Sequence, residues 1–151
     1  MASYRDHMLD GASAVDLVVA LYDGIIRFLS AAISAVERGD TEGRRVAVKR
    51  ALDIIIHLQA RLRMDIGGRP AESLAEFYAA IFAQILQASQ SASKSRFEHA
   101  IECVRTVRSA WRQVAADPDA VPNLSRISSA PTRRSSDYEE QETGVTTSWM
   151  A

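Results

Sequence analysis

Residues 14–36, AVDLVVALYDGIIRFLSAAISAV, limit the possible folds more than any other stretch of the chain. At about 100° per residue, Val18, Leu21, Ile25, Leu29, Ala32 and Val36 form one seam. Val15, Val19, Tyr22, Ile26 and Ile33 run along its flank. With Leu17 and Phe28 they cover an arc of about 200°, where a surface helix needs little more than about 100°. Only Asp16, Asp23, Arg27, Ser30 and Ser34 mark a polar strip. A helix of this kind has to be covered on more than one side. The cover is a wrapping bundle, a second copy, or another chain's amphipathic helix laid in a groove.

The rest of the chain supplies partners for it. Ser13 with Asp16 reads as a capping box that opens helix 1, which ends near Glu37. Asp40 or Thr41 caps a second helix with the core line Val48, Leu52, Ile55, Leu58, Leu62 and Ile66. Gly67-Gly68 ends it, because glycine takes the left-handed conformation cheaply. Pro70 suits the first turn of helix 3, whose stripe is Leu74, Phe77, Tyr78, Ile81, Ile85 and Ala88. Ser95 and Glu98 box the start of helix 4, with the stripe Phe97, Ala100, Ile101, Val104, Val107, Trp111 and Val114. The expected helices are about 13–37, 41–66, 70–89 and 95–116. Short connections between long amphipathic helices predict an all-α, antiparallel up-down-up-down four-helix bundle over residues 1–116.

After residue 116 the composition turns to Ser, Thr, Pro and charge, without apolar period. Residues 117–151 are therefore expected to be a disordered tail. Its last stretch, TTSWMA, offers Trp149 and Met150 as the residues able to dock.

Composition excludes several function classes. A net charge of −1 gives no basic field for nucleic acid. The lone Cys103 allows no internal disulfide and no cysteine-based zinc site, which fits a reduced, cytosolic compartment. The N-terminal MASYRDHMLDG has no apolar core of a secretory signal. No apolar run approaches the roughly 20 residues that span a bilayer, so no membrane insertion is expected.

Catalytic signals are equally sparse. There is no Glu-x-x-His pair, no glycine-rich phosphate loop and no G-x-S-x-G elbow. His7, His57 and His99 share no metal-ligand spacing, so neither metal nor cofactor is expected, and the chain does not read as an enzyme. His57 is the one histidine to weigh, on the polar face of helix 2 with Asp53 at i−4 and Arg61 at i+4. Phosphotransfer domains carry such a histidine in HxLKGS. Here HLQARL lacks the small residues that open space beside the imidazole. A solvated histidine is the better reading, and phosphotransfer through His57 is the alternative function. Cys103, at the edge of helix 4's stripe, reads as a small packing residue.

Four motifs in order resemble the FliS family of flagellar export chaperones. LYDG at 21–24, followed by IIRFL, is similar to the family's helix 1 signature. ALDIIIHL at 51–58 resembles its helix 2 pattern, Ala-x-x-Ile-Ile-x-x-Leu. GG and then SLAEFYAAI resemble the turn and helix 3, and SAWRQ at 109–113 resembles the end of helix 4. Tyr4 stands where the family has an N-terminal tyrosine. The resemblance covers about residues 4 to 116. Two departures stand out: Ser13-Ala14-Val15-Asp16 lacks the family's proline, and Ala79, Ala80, Ala83 and Gln84 replace an aromatic and cations on helix 3.

The resemblance implies a cytoplasmic protein that binds the C-terminal segment of flagellin. It would block premature polymerisation and keep that segment export-competent. Its partners would be this segment and the flagellar export apparatus, and the chain itself a monomer or weak homodimer. A purely structural helical dimer is the third reading. The expected groove residues are Tyr22, Ile26, Ile33, Ile55, Tyr78, Phe82 and Trp111. A short lid over residues 1–12, through Tyr4, Met8 and Leu9, is expected to cover the groove in the free protein and to be displaced cheaply.

Overall fold

The computed structural model describes the backbone of residues 2–62 and 64–116, and the side chains of residues 14–62, 68–114 and 116. Among them are four helices and no strand: α1 (Ala2–Arg38), α2 (Thr41–Ala60), α3 (Met64–Gln90) and α4 (Lys94–Ala116). They form the expected all-α bundle.

Two junctions share one device. Gly39 takes a left-handed φ of 67° after α1, its N–H reaching Val36 O at 3.1 Å and the Asp40 N–H reaching Ala35 O at 2.8 Å. The last carbonyls of the helix are thereby paired. Asp40 then caps α2, its Oδ1 accepting from Gly43 N–H at 2.8 Å. At the end of α3 the left-handed residue is Ala92, at φ 46°. The same pair of bonds runs from Ala92 to Ser89 and from Ser93 to Ala88. Ser93 Oγ accepts from Arg96 N–H at 3.3 Å, so the cap of α4 is Ser93 and not the expected Ser95.

Other boundaries differ from expectation as well. α1 runs from Ala2, through the Ser13 cap signal, because residues 2–12 hold no proline and the helix simply continues. α2 ends at Ala60 in a tighter turn, Leu62 N–H bonding to Gln59 O at 3.2 Å. Leu62 nevertheless packs against the core. The apolar period reported which side faces inward, not how far the helix runs. Gly68 breaks α3 at φ 54° and ψ −142°, which leaves Pro70 in the first turn of the helix proper. The side chains of Tyr4, Met8, Leu9 and Ile66 and the whole of 117–151 lie outside the described residues.

Each helix packs beside two others, in the order α1, α2, α3, α4 and back to α1. Two ion pairs join α1 to α4, Glu37–Lys94 and Asp23–Arg108. They step in opposite directions along the two helices, which are therefore antiparallel. The Arg50 guanidinium lies over the Phe28 ring at 5.8 Å, and Gly24 faces Ile54, so α1 and α2 are antiparallel too.

The wide arc of α1 is thus explained by two apolar neighbours rather than one. Tyr22, Ile25, Leu29, Ala32 and Ala35 are buried, with Val18, Leu21, Ile26, Phe28, Ile33 and Val36 packed half-buried around them. Contrary to the sequence expectation, Ala14–Arg38 is long and apolar enough by composition to cross a membrane. In the bundle its buried face is occupied by the core.

Candidate binding surface

Each residue of LYDG has a distinct task. Leu21 is half-buried against the core. Tyr22 is fully buried, its hydroxyl 2.7 Å from that of Tyr78 on α3, on the far side of the bundle. The Trp111 indole of α4 donates to the same Tyr22 oxygen at 3.1 Å, so three helices meet at one polar knot. The two rings cross edge to face, with centroids 6.3 Å apart. Burial pushes both hydroxyls above the ordinary tyrosine range, because an ionised phenol there would lack water. Asp23 accepts from Arg108 at 2.5 Å. A Cβ at Gly24 would stand 3.1 Å from Ile54 Cδ1, so glycine is what lets α1 and α2 approach this closely.

The expected groove residues fall into three places. Tyr22, Ile55 and Tyr78 are at most 2% exposed. This corrects the expectation that they line an open groove, since their surface is already used by the core. Ile26 and Ile33 are half-buried on the side of α1 turned away from Gly24 and Phe28, hence towards α4. Trp111 is half-buried on α4 and bonds to Tyr22, one turn or more along α1 from Ile26 and further from Ile33. Phe82 is half-buried on α3, on a different flank of the bundle.

Phe82 belongs to a seam between α2 and α3, the least closely packed of the four neighbouring pairs. On α2, Ile54 and Arg50 turn towards α1, so Leu52 and Ile56 turn the other way, towards α3. On α3, Gln87 bonds to Arg96 of α4, which leaves Phe82 and Leu86 facing α2. The registers agree. Tyr22 meets Tyr78 and Gly24 meets Ile54, so Ile56 is level with Tyr78, and Leu52 with Phe82 one turn on. Leu52 and Phe82 form a half-buried floor. Ile56 is 50% exposed and Leu86 38% exposed above it. Arg45 and Lys49 are exposed on the same side of α2, whereas the outer stripe of α3 runs Glu72, Glu76, Ala79 and Ala83, acidic towards its start and uncharged beyond Glu76.

Sequence reasoning had chosen Ile55 and missed Ile56 and Leu86. The signal was present in ALDIIIHL, because three consecutive isoleucines cannot all face one core. With Ile55 inward, Ile54 and Ile56 must sit at opposite edges.

His57 is exposed in the last turn of α2. His99 Nε2 lies 3.7 Å from Cys103 Sγ along α4. Partial burial raises that thiol's pKa, which makes it a poorer nucleophile. Among the described residues no three His, Cys, Asp or Glu side chains gather as metal ligands.

Comparison with known proteins identifies the family. The family described as flagellar protein FliS matches residues 1–118. The flagellar secretion chaperone FliS of Vibrio cholerae is 33% identical over 109 residues, 72% of this chain and 80% of that protein. The Campylobacter jejuni protein of the same name is 30% identical over 112 residues, 74% of this chain and 88% of its own length. The Salmonella typhimurium one is 30% identical over 105 residues, 69% and 78% respectively. None of these names supports phosphotransfer through His57. By its family match and by these relatives, the chain belongs to the FliS family of flagellar secretion chaperones.

Proposed function

We propose that this chain is a cytoplasmic, non-catalytic chaperone that takes the C-terminal segment of flagellin onto the α2–α3 seam and releases it to the export apparatus. The observation that carries the reading is the pair Ile56 and Leu86, apolar and exposed above the Leu52–Phe82 floor of a core that is already closed without them. Fully covering an isoleucine or leucine is worth about 1.5–3 kcal/mol, and with roughly half of each side chain already covered the pair contributes about 1–3 kcal/mol, to which the cargo's own apolar side chains add. Ordering a coil-like cargo offsets much of that gain, which leaves an affinity compatible with later release. Ile26, Ile33 and Trp111 on the α1–α4 flank offer a second apolar strip to a cargo long enough to wrap the bundle. Tyr22, Ile55 and Tyr78 act on this surface from beneath, by fixing the spacing of the helices.

In this reading the N-terminal residues, which continue α1, unwind from its end so that Tyr4, Met8 and Leu9 compete within the molecule for this surface. Deleting residues 1–9 is expected to tighten flagellin binding and to increase dye binding by the free protein. An unchanged affinity with no added dye binding would remove the lid from this account.

The reading itself is tested by mixing the full chain with the isolated C-terminal segment of flagellin. A one-to-one complex with a gain in helical circular dichroism is expected. A segment that remains a coil at micromolar concentrations would exclude the assignment.

A further inference from the structure

The FliS match stops at residue 118, and thirty-odd residues of different character follow. We infer that residues 137–151 of this chain dock on the α2–α3 seam of the same molecule, acidic residues against Arg45 and Lys49 and Trp149-Met150 over the Ile56–Leu86 patch. The inference rests on the reading of that seam as a binding surface.

Three observations lead to it. The first is chemical complementarity. From Ser135 onward the sequence has no Lys or Arg, but it carries Asp137, Glu139, Glu140 and Glu142, followed by Val145, Trp149 and Met150. The seam carries exposed Arg45 and Lys49 towards the start of α2 and exposed apolar Ile56 and Leu86 along it, with the exposed acid Asp53 a turn from Lys49 and from Ile56. Its α3 side offers Ala79, Phe82 and Leu86, and the exposed acids of that face, Glu72 and Glu76, lie further towards the start of α3, away from Arg45 and Lys49.

The second is spacing. Seven residues from Glu142 to Trp149 reach at most about 25 Å. Lys49 and Ile56 are about 10 Å apart along α2. One segment can therefore engage both features.

The third is reach. Arg108 is level with Asp23, and Ala116 lies two turns further, towards the end of the bundle where α2 finishes and α3 begins. Leu86 is about 22 Å up α3 from the level of Ala71. Residues 117–136 span at most about 70 Å, ample to bring the acidic stretch to Lys49. Tethering also places the segment near the seam at an effective concentration in the millimolar range, so even weak contacts hold it there.

The test uses the full chain without cargo. The fluorescence of wild type minus that of Trp149→Phe isolates Trp149 and leaves Trp111 in place. Docking predicts a blue-shifted Trp149 component, poorly quenched by acrylamide at every protein concentration. It should move to water-like emission with Ile56→Asp, and partly so with Arg45→Glu/Lys49→Glu or in high salt. Circular dichroism on each variant checks that the bundle is intact. A Trp149 component that is water-like in the wild type overturns the inference. So does shielding untouched by Ile56→Asp, which places the tail elsewhere, or shielding that grows with concentration, which assigns it to a second copy. Flagellin takes no part in this measurement, so failure of the chaperone reading and failure of tail docking are distinguishable. If both hold, a tail docked nine-tenths of the time weakens cargo binding about tenfold, and Trp149→Ala restores that factor.

Discussion

The Tyr22 hydroxyl is the point where three helices are tied together, and its chemistry sets two expectations. Tyr22→Phe leaves Tyr78 without its partner in the core and should cost about 1–3 kcal/mol. Adding Tyr78→Phe should cost less than the sum, because the second change removes the orphaned hydroxyl. Denaturant melts of the two single variants and the double variant measure that coupling. Burial raises both tyrosine pKa values, so neither affects stability below about pH 10, where folded and unfolded chains are alike protonated. Above that pH the unfolded tyrosines ionise and stability falls. The double phenylalanine variant should lose that part of the alkaline slope. Ala92 stands in left-handed geometry without the freedom of glycine, so Ala92→Gly is expected to stabilise the protein by about 1 kcal/mol in the same melts. Little of this was legible beforehand. LYDG and the Trp of SAWRQ were visible as motifs, but only the packing of α1, α3 and α4 shows that they form one hydrogen-bonded unit.

At the level of elements, the number of helices and their inward faces could be read from the sequence because apolar period and burial are the same geometric fact. Leu74, Ile81, Ile85 and Ala88 on α3 are buried as expected. Ends were harder. Ser93 and Ser95 are equally good caps as residues, and the choice was made by the left-handed turn at Ala92 that closes α3. The close approach of α1 and α2 is set by Gly24. Gly24→Ala trades a better helix former against a Cδ1 atom that can yield, and should change stability by less than about 1 kcal/mol. Gly24→Val wedges the pair apart and should cost about 1–3 kcal/mol. Thermal melts of the two variants check the contrast. A harmless valine would mean that the helices are not as close as Gly24 allows.

For the whole molecule, the division of labour is between a closed core and an open seam. The sequence pointed to surplus apolar surface and located it on α1. The structure covers most of α1 with α2 and α4 but leaves Leu17 exposed on it, and it exposes Val46 and Ile56 on α2 and Leu86 on α3 as well, the last two along the α2–α3 seam. An excess of apolar residues can be counted in one helix, but which part of it remains exposed depends on how four helices share one core. Binding of the flagellin segment at the α2–α3 seam is the proposal on which the rest depends. It is tested most directly by calorimetric titration of that segment into the wild-type chain and into Ile56→Asp. A negative heat-capacity change is expected on binding to the wild type. Binding to the variant should be at least tenfold weaker, with a melting temperature close to that of the wild type, because Ile56 is half exposed. Equal affinity for the two proteins, with the variant still folded, would contradict it.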